Sequence, residues 1–293
     1  MAMTVRPRRS VLYMPGSNAR ALEKGRTLPA DALILDLEDA VAPDAKAEAR
    51  ATIKAAIAAG GYGGRELVVR VNALSTQWGY DDLVMAAGSG ADAVLLPKVE
   101  SADTVRQAEA VLRAHGAPEG QRIWCMMETP MAMLNVREIA GASAKLGALV
   151  MGTSDLAKDL HAAHTRDRLP MITSLGLCLL AARAYGLAIL DGVHLDLADD
   201  EGFAHACRQG LELGFDGKTL IHPKTLAVCN AVFAPSADEV AFSRRIIEAH
   251  AAAVAEGKGV LLVDGKLIEN LHVENARRLV AMAEAIAALE AGA

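Results

Sequence analysis

Basic residues do not outnumber acidic ones in this chain: 30 Lys and Arg stand against 36 Asp and Glu, a formal charge of −6. A protein that binds nucleic acid regardless of sequence needs a basic stripe for the phosphates, so that class is excluded. Cysteine is scarce, and Cys125, Cys178, Cys207 and Cys229 show neither CxxC nor CxxH spacing. They read as buried, reduced thiols of a cytosolic protein. No apolar run approaches the length of a membrane span, and the start, MAMTVRPRRSVLYMPG, has basic residues but neither a long apolar core nor a small-residue cleavage site. The expected setting is therefore cytoplasmic, with no membrane partner. A dinucleotide fingerprint is lacking too: GGYGG (60–64) precedes a strand instead of following one and opening a helix, so it reads as a loop.

What the chain does have is apolar mass, 52% of its 293 residues, enough for one large α/β domain with an appendage. Short apolar runs ending in Gly, Asp or Pro recur at 10–15, 31–39, 66–72, 91–98, 122–129, 146–152, 187–193 and 215–222, separated by Ala-rich stretches of helical spacing. Eight such runs suit a TIM (β/α)8 barrel, whose parallel strands are covered on both faces. An open doubly wound sheet is the alternative. The barrel is preferred because polar residues gather at or just after the strand ends, namely Asp36, Glu38, Arg70, Asn72, Lys98, Glu128, Asp155, Asp191 and Lys218. From Ser236 the pattern changes. Ser236 with Glu239 forms a capping-box start for a helix toward Gly257, VLLVDGKLIE reads as a hairpin turning at Asp264-Gly265, and a last helix follows. The expected domains are a catalytic barrel over residues 1–235 and a small helical and hairpin lid over 236–293.

Glu128 ends the apolar run Ile123-Trp124-Cys125-Met126-Met127 and precedes Pro130. A carboxylate in an apolar wall is costly unless it is paired or binds a metal. Asp155 in VMGTSDLAKDL follows the sixth strand as Glu128 follows the fifth, so two carboxylates reach one rim. With room for water and substrate oxygens, that pair suits Mg2+, or Mn2+ in its place. His161 and His164 have H-x-x-H spacing and raise a zinc alternative, but a solvated helix or loop face is preferred. Arg70 lies inside an otherwise buried strand. It is either a structural ion pair with Asp36 or Glu38, or a cation facing a substrate carboxylate or enolate, and the two carboxylates opposite favour the second reading.

VLYMPGSNARALEKG, DALILDLEDAVAPDAKAEAR, VVRVN, VLLPKVES, METPMA, MGTSDLAKDL and GFDGKTLIHP, in that order through nearly the whole chain, resemble the citrate lyase β-subunit group of the HpcH/HpaI aldolase/citrate lyase superfamily. Its members include malyl-CoA, β-methylmalyl-CoA and citramalyl-CoA lyases. The resemblance implies a TIM barrel, Mg2+, and reversible Claisen-type cleavage of a 3-hydroxyacyl-CoA to an acyl-CoA and a 2-oxo acid such as glyoxylate or pyruvate. By position it makes Glu128 and Asp155 the metal ligands and Arg70 the substrate-binding arginine, with Gly152, Thr153, Ser154 and Asp155 around the substrate carboxylate. The coenzyme A arm falls to Tyr13, Pro15, Gly16, Ser17, Asn18, Arg20 and Lys24. Relatives that do not use thioesters carry a base histidine directly after an Asp-x-Glu motif. Here DLED places Asp39 after Glu38, which joins both to the catalytic set and favours the CoA branch.

DGKLIENLHVENARR resembles the lid of the CoA lyases, which supplies an acidic group to a neighbouring subunit's site. Glu269 stands where several relatives have Asp, and Asp264 is explained by turn chemistry. The implied assembly is a homo-oligomer, a trimer or hexamer, with the lid supplied in trans. Lys98 and Lys218 are structural or coenzyme-contacting, since no Schiff base is required. Three rivals stay open: a malyl-CoA thioesterase, a citrate lyase β subunit acting on a carrier-protein thioester, and a non-catalytic acyl-CoA-binding protein.

Overall fold

Residues along each apolar run are apolar on both sides of the pleat, so the strands must be covered on both faces. The computed structural model describes residues 5–255 and 261–292. Eight parallel strands close a barrel in chain order: β1 (Ser10–Pro15), β2 (Ala32–Asp36), β3 (Glu66–Arg70), β4 (Ala93–Leu96), β5 (Arg122–Met127), β6 (Leu146–Met151), β7 (Ala188–Asp191) and β8 (Gly217–Leu220). The closing seam pairs Ser10 with Lys218 and Leu12 with Leu220, so the open-sheet alternative is excluded. Ile34, Val68, Leu95, Trp124, Val150 and Leu190 fill the interior. Their strand neighbours Leu35, Val69, Leu96, Cys125 and Leu149 face outward into the core beneath the helices.

Those helices are α1 (Ala19–Gly25), α2 (Lys46–Ala59), α3 (Gly79–Ala87), α4 (Ala102–Ala114), α5 (Pro130–Leu134), α6 (Val136–Ala140), α7 (Thr153–Asp159), α8 (Ile172–Ala184), α9 (Asp200–Leu213) and α10 (Leu226–Phe233). Asn18, Ser101, Thr129 and Asp199 cap α1, α4, α5 and α9, each accepting from an amide inside the first turn. Strands end earlier than their apolar runs, for local reasons. The Asp36 carboxylate turns back to accept from the Glu38 and Ala40 amides at 2.9 and 3.1 Å, ending β2 and leaving Glu38 and Asp39 on the loop. Thr129 and Pro130 start α5, which stops β5 at Met127 and leaves Glu128 on the rim.

Asp191, fully buried, is held by Lys218 Nζ at 2.8 Å and Arg168 Nη1 at 2.6 Å, so Lys218 has a structural partner inside the barrel. All four thiols are buried and free.

The chain divides into two compact units, residues 8–233 and residues 5–7 with 234–292. The second contains α11 (Ala237–Ala255), an antiparallel hairpin of β9 (Leu261–Val263) and β10 (Lys266–Ile268), and α12 (Asn270–Ala291). Ser236 and Glu239 exchange the two hydrogen bonds of a capping box. Asp264 and Gly265 turn the hairpin with φ of 50° and 75°, the paired positive values of a type I′ turn. Ile246, Val263, Ile268, Val273 and Ala276 form this unit's interior. Glu256, Gly257 and Val260, which belong to the helix and hairpin readings, lie outside the described residues. No helix among the described residues is long and apolar enough to cross a membrane.

Candidate active site

The C-terminal ends of β1, β2, β3, β5, β6 and β8 surround a cavity of about 320 Å3, lined among others by Tyr13, Asp36, Arg70, Glu128, Ser154 and Asp155. Glu128 is 2% exposed. Its Oε1 accepts from the Lys98 amide at 2.7 Å, and Gly152 lies against its other side. A methyl group at position 152 would collide with Glu128 Cβ and Oε2, so only glycine leaves the carboxylate its place. Burial, and then repulsion from Glu38, push the Glu128 carboxyl up to about 7, against the Lys98 amide, which favours the charged form. Asp155 sits in the first turn of α7 with about a third of its side chain exposed.

Two carboxylates in an apolar rim, one of them reluctant to ionise alone, fit a divalent cation. No group of three or more His, Cys, Asp or Glu among the described residues could enclose a metal. A cation here would keep open positions for water and substrate oxygens, as Mg2+ does.

Arg70 ends β3 and makes the ion pair that was one of the two alternatives drawn from the sequence. Its Nε and Nη2 bond the two oxygens of Asp36 at 2.6 Å each, a bidentate pair. Nη1 lies 2.8 Å from Glu38 Oε2, an ion pair outside hydrogen-bond geometry, and 3.4 Å from Asp39 Oδ2. The guanidinium stacks 4.8 Å from the centre of the Tyr13 ring. It is thus an ion-paired arginine and a wall of the cavity at once. Burial raises the Glu38 carboxyl, with Arg70 opposing. Asp39, 63% exposed, stands at the mouth.

The residues expected around the coenzyme arm divide. Tyr13 is partly buried against Arg70, with its hydroxyl toward Met126 Sδ, and lines the cavity. Gly16 packs under the Asp36 carbonyl, where a Cβ would lie 2.5 Å from the oxygen. Asn18 is the cap of α1. Ser17, Arg20 and Lys24 are exposed, the last two one turn apart on α1. Gly152 gives its amide to Met127 O and so contributes room in place of a donor. Thr153 and Ser154 open α7, where amides have no partner within the helix.

His161, with φ of 54°, is the left-handed closing residue of α7: its amide bonds Lys158 O and that of Ala162 bonds Ala157 O. His161 thus has a helix-ending role, and both histidines are exposed, as the preferred reading of the H-x-x-H spacing expects. Glu269 lies in the second unit, exposed, as N-cap of α12, in a reciprocal cap with His272. Lys98, read from the sequence as structural or coenzyme-contacting, adds a backbone contact that the sequence did not suggest: besides its amide bond to Glu128, its Nζ lies 3.5 Å from Glu38 Oε1.

A model of the HpcH/HpaI aldolase/citrate lyase family matches residues 9–223. The chain is 51% identical to a (3S)-malyl-CoA thioesterase of Cereibacter sphaeroides, over 99% of this chain and all of that one. It is 35% identical to an L-malyl-CoA/beta-methylmalyl-CoA lyase of the same species, covering 97% of this chain and 96% of the other. Among solved structures it is similar to the CitE protein of Mycobacterium tuberculosis in complex with magnesium, acetoacetate and coenzyme A, at 28% identity and a TM-score of 0.74, over 94% and 97% of the two chains. By its barrel, by its family match and by relatives alike along almost their whole length, the chain belongs to the HpcH/HpaI aldolase/citrate lyase family.

Proposed function

We propose that the chain is a Mg2+-dependent enzyme acting on a malyl-type 3-hydroxyacyl-CoA, and that it hydrolyses the thioester of (3S)-malyl-CoA to malate and free CoA. The observation that carries this reading is the carboxylate pair Glu128 and Asp155 sharing one cavity with the ion-paired Arg70. The choice of hydrolysis is supported by the 51% full-length identity to (3S)-malyl-CoA thioesterases, against 35% to a lyase.

Glu128 and Asp155 would hold Mg2+, whose contribution when bound is to fix and polarise the carboxylate and hydroxyl oxygens of the malyl group. The amides of Thr153 and Ser154 receive the same carboxylate. Asp36 and the Tyr13 ring fix the plane of Arg70, so that its charge, and the Nη2 hydrogen not given to Asp36, serve the thioester oxygen, where negative charge develops as water adds. Asp39, beside Arg70 at the mouth, takes the proton of that water. Water's oxygen forms the new C–O bond, the C–S bond breaks, and the CoA thiolate leaves. Asp39 stands where thioester-independent aldolases of the family carry a base histidine, so one position serves proton transfer in both. Arg20 and Lys24 on α1 meet the phosphates of the coenzyme.

The second reading is the lyase, which keeps the thioester and breaks the bond between the hydroxyl-bearing carbon and the acyl α-carbon, giving glyoxylate and acetyl-CoA. The 35% relative favours it. It requires an acid at the acyl carbon, for which Glu269 from a neighbouring copy is the candidate, and its N-cap role in α12 would have to be released. The test is purified protein with malyl-CoA and Mg2+ in 18O-water. Malate labelled in one carboxylate with free CoA supports hydrolysis, whereas acetyl-CoA with glyoxylate, in place of malate and free CoA, establishes the lyase and overturns it. Turnover of neither kind, with retained CoA-ester binding, leaves a binding protein.

A further inference from the structure

Four non-glycine residues among those described have positive φ: Lys98, His161, Arg168 and Asp264. This backbone region costs free energy for residues with a Cβ, so each instance calls for a cause. Three have local ones. His161 closes α7, and Asp264 turns the hairpin. Arg168 reaches the buried Asp191 from its position, bonding both carboxylate oxygens at 2.6 and 2.8 Å. Lys98, with φ of 49°, neither caps a helix nor turns a hairpin, and it follows β4 directly after Pro97.

What the Lys98 conformation achieves is the aim of its amide. The N–H of Lys98 meets Glu128 Oε1 at 2.7 Å, and this is the hydrogen bond that Glu128 makes among the described residues. On the opposite side Gly152 leaves room for Oε2. One oxygen is therefore anchored and the other kept clear, in a carboxylate that is 2% exposed. The ammonium group is a separate matter: the side chain is 45% exposed, and Nζ lies 3.5 Å from Glu38.

We propose that Lys98 is a positioning residue for the cation-binding carboxylate, acting through its left-handed backbone and amide, with its ammonium group dispensable for that task. The strained turn after β4 holds Glu128 in the pose in which Oε2 is offered to a divalent cation. The proposal rests on Glu128 being a metal ligand.

The test is Mn2+ affinity, read by the paramagnetic resonance of free Mn2+, with thermal unfolding measured on the same samples and no turnover involved. Lys98→Asn and Lys98→Gly accept positive φ, Lys98→Met keeps the backbone demand and removes the charge, and Lys98→Val resists the conformation because it is β-branched. Asn, Gly and Met are expected to bind Mn2+ within a few-fold of the parent chain. Val is expected to lose roughly ten- to hundredfold, the usual effect of removing a partner of a metal ligand. A Val variant that unfolds more easily yet binds Mn2+ like the parent overturns the proposal, and so does a Met variant as weak as Val, which would make the ammonium the agent.

Glu128→Gln in the same assay separates the two layers. If it binds Mn2+ normally, the ligand assignment itself fails; if it loses binding while Val does not, only the role of Lys98 fails. Should Lys98→Val not fold, the Lys98 amide proton in the parent chain decides. It should exchange slowly and shift on Glu128→Gln, and an unprotected, unmoved resonance overturns the proposal.

Discussion

Replacing Glu128 by glutamine should make the metal-free protein more stable at neutral and alkaline pH while removing its ability to bind the cation. The magnitude follows from the environment of the carboxyl, which burial and the neighbouring Glu38 raise from 4.5 to about 7. A tenfold change in proton affinity corresponds to about 1.4 kcal/mol, so ionising Glu128 in the metal-free fold costs about 3 kcal/mol relative to the unfolded chain. The sign is that of a group whose folded pKa is raised: the folded state binds the proton more tightly, so this contribution is fully present below pH 4.5. It is lost as pH rises through about 7. Glutamine is neutral throughout and still presents an oxygen to the Lys98 amide.

The assay is denaturant unfolding in EDTA at a series of pH values, comparing the parent with Glu128→Gln. Every other titrating group is shared, so the difference isolates Glu128. The two should be alike near pH 4, differ by about 1 kcal/mol at pH 5, and diverge by up to about 3 kcal/mol in favour of Gln by pH 8. Mg2+ should close the gap by stabilising the parent alone, and its affinity for the parent should rise with pH up to about 7, where the competing proton leaves Glu128. A Gln variant no more stable than the parent at pH 8 without metal would refute the reasoning, because the carboxylate would then cost nothing to ionise.

Gly152→Ala places a methyl group against Glu128 Cβ and Oε2; it should cost about 1–3 kcal/mol by overpacking and weaken Mg2+ binding, and unchanged affinity in a calorimetric titration would count against the crowding argument. Arg70→Met strands Asp36, 1% exposed, and should destabilise by about 3–5 kcal/mol. Arg70→Lys should lose less stability but most turnover, since an ammonium cannot reproduce the planar fork; full specific activity of the folded Lys variant would reduce Arg70 to a structural ion pair. Glu269→Ala removes the cap of α12 and should cost about 1 kcal/mol, seen as faster amide exchange in the first turn of that helix. Wild-type turnover in the same variant would take Glu269 out of the chemistry.

The barrel was legible because eight apolar runs with polar ends are a global pattern, insensitive to the fate of any one residue. The ends of the strands were less so. Whether Asp36 closes β2 depends on its carboxylate folding back on two amides, a choice that short-range sequence does not dictate. Glu128, Asp155 and Arg70 stood out because charge inside or beside an apolar run is expensive and calls for a partner. Tyr13 carried a usable signal: it lies two residues after Val11 on β1, so both face the barrel interior, while its neighbourhood to PGSN suggested the coenzyme. Lys98 was visible as a polar residue at a strand end, but its left-handed backbone was not: Asn or Gly would have hinted at that conformation, and an amide has no letter in the sequence. His161 is a similar case, occupying a helix-closing position where glycine is usual.

Charge counting across the cavity ties these residues into one device. Asp36, Glu38, Asp39, Glu128 and Asp155 stand in or beside it. Arg70 answers the first three, Lys98 approaches Glu38, and Lys46 reaches the carbonyls of Leu37 and Glu38 from below. Five carboxylates thus face four cations, the exposed Lys158 at 3.5 Å from Asp155 included, so negative charge is in excess. Burial raises two of these carboxyls, Glu38 and Glu128, toward the protonated form. Three of these cations lie on the Asp36 side, drawn to Arg70's partners, whereas Asp155 is paired with the exposed Lys158 and Glu128 accepts from an amide and feels Arg70 only as a smaller, opposing charge. Among the described residues Glu128 thus stands in the cavity without an ion pair. A cation held by Glu128 and Asp155 would share the cavity with Arg70, and a hydroxy-acid thioester, anionic at one end and polarisable at the other, would suit that pairing.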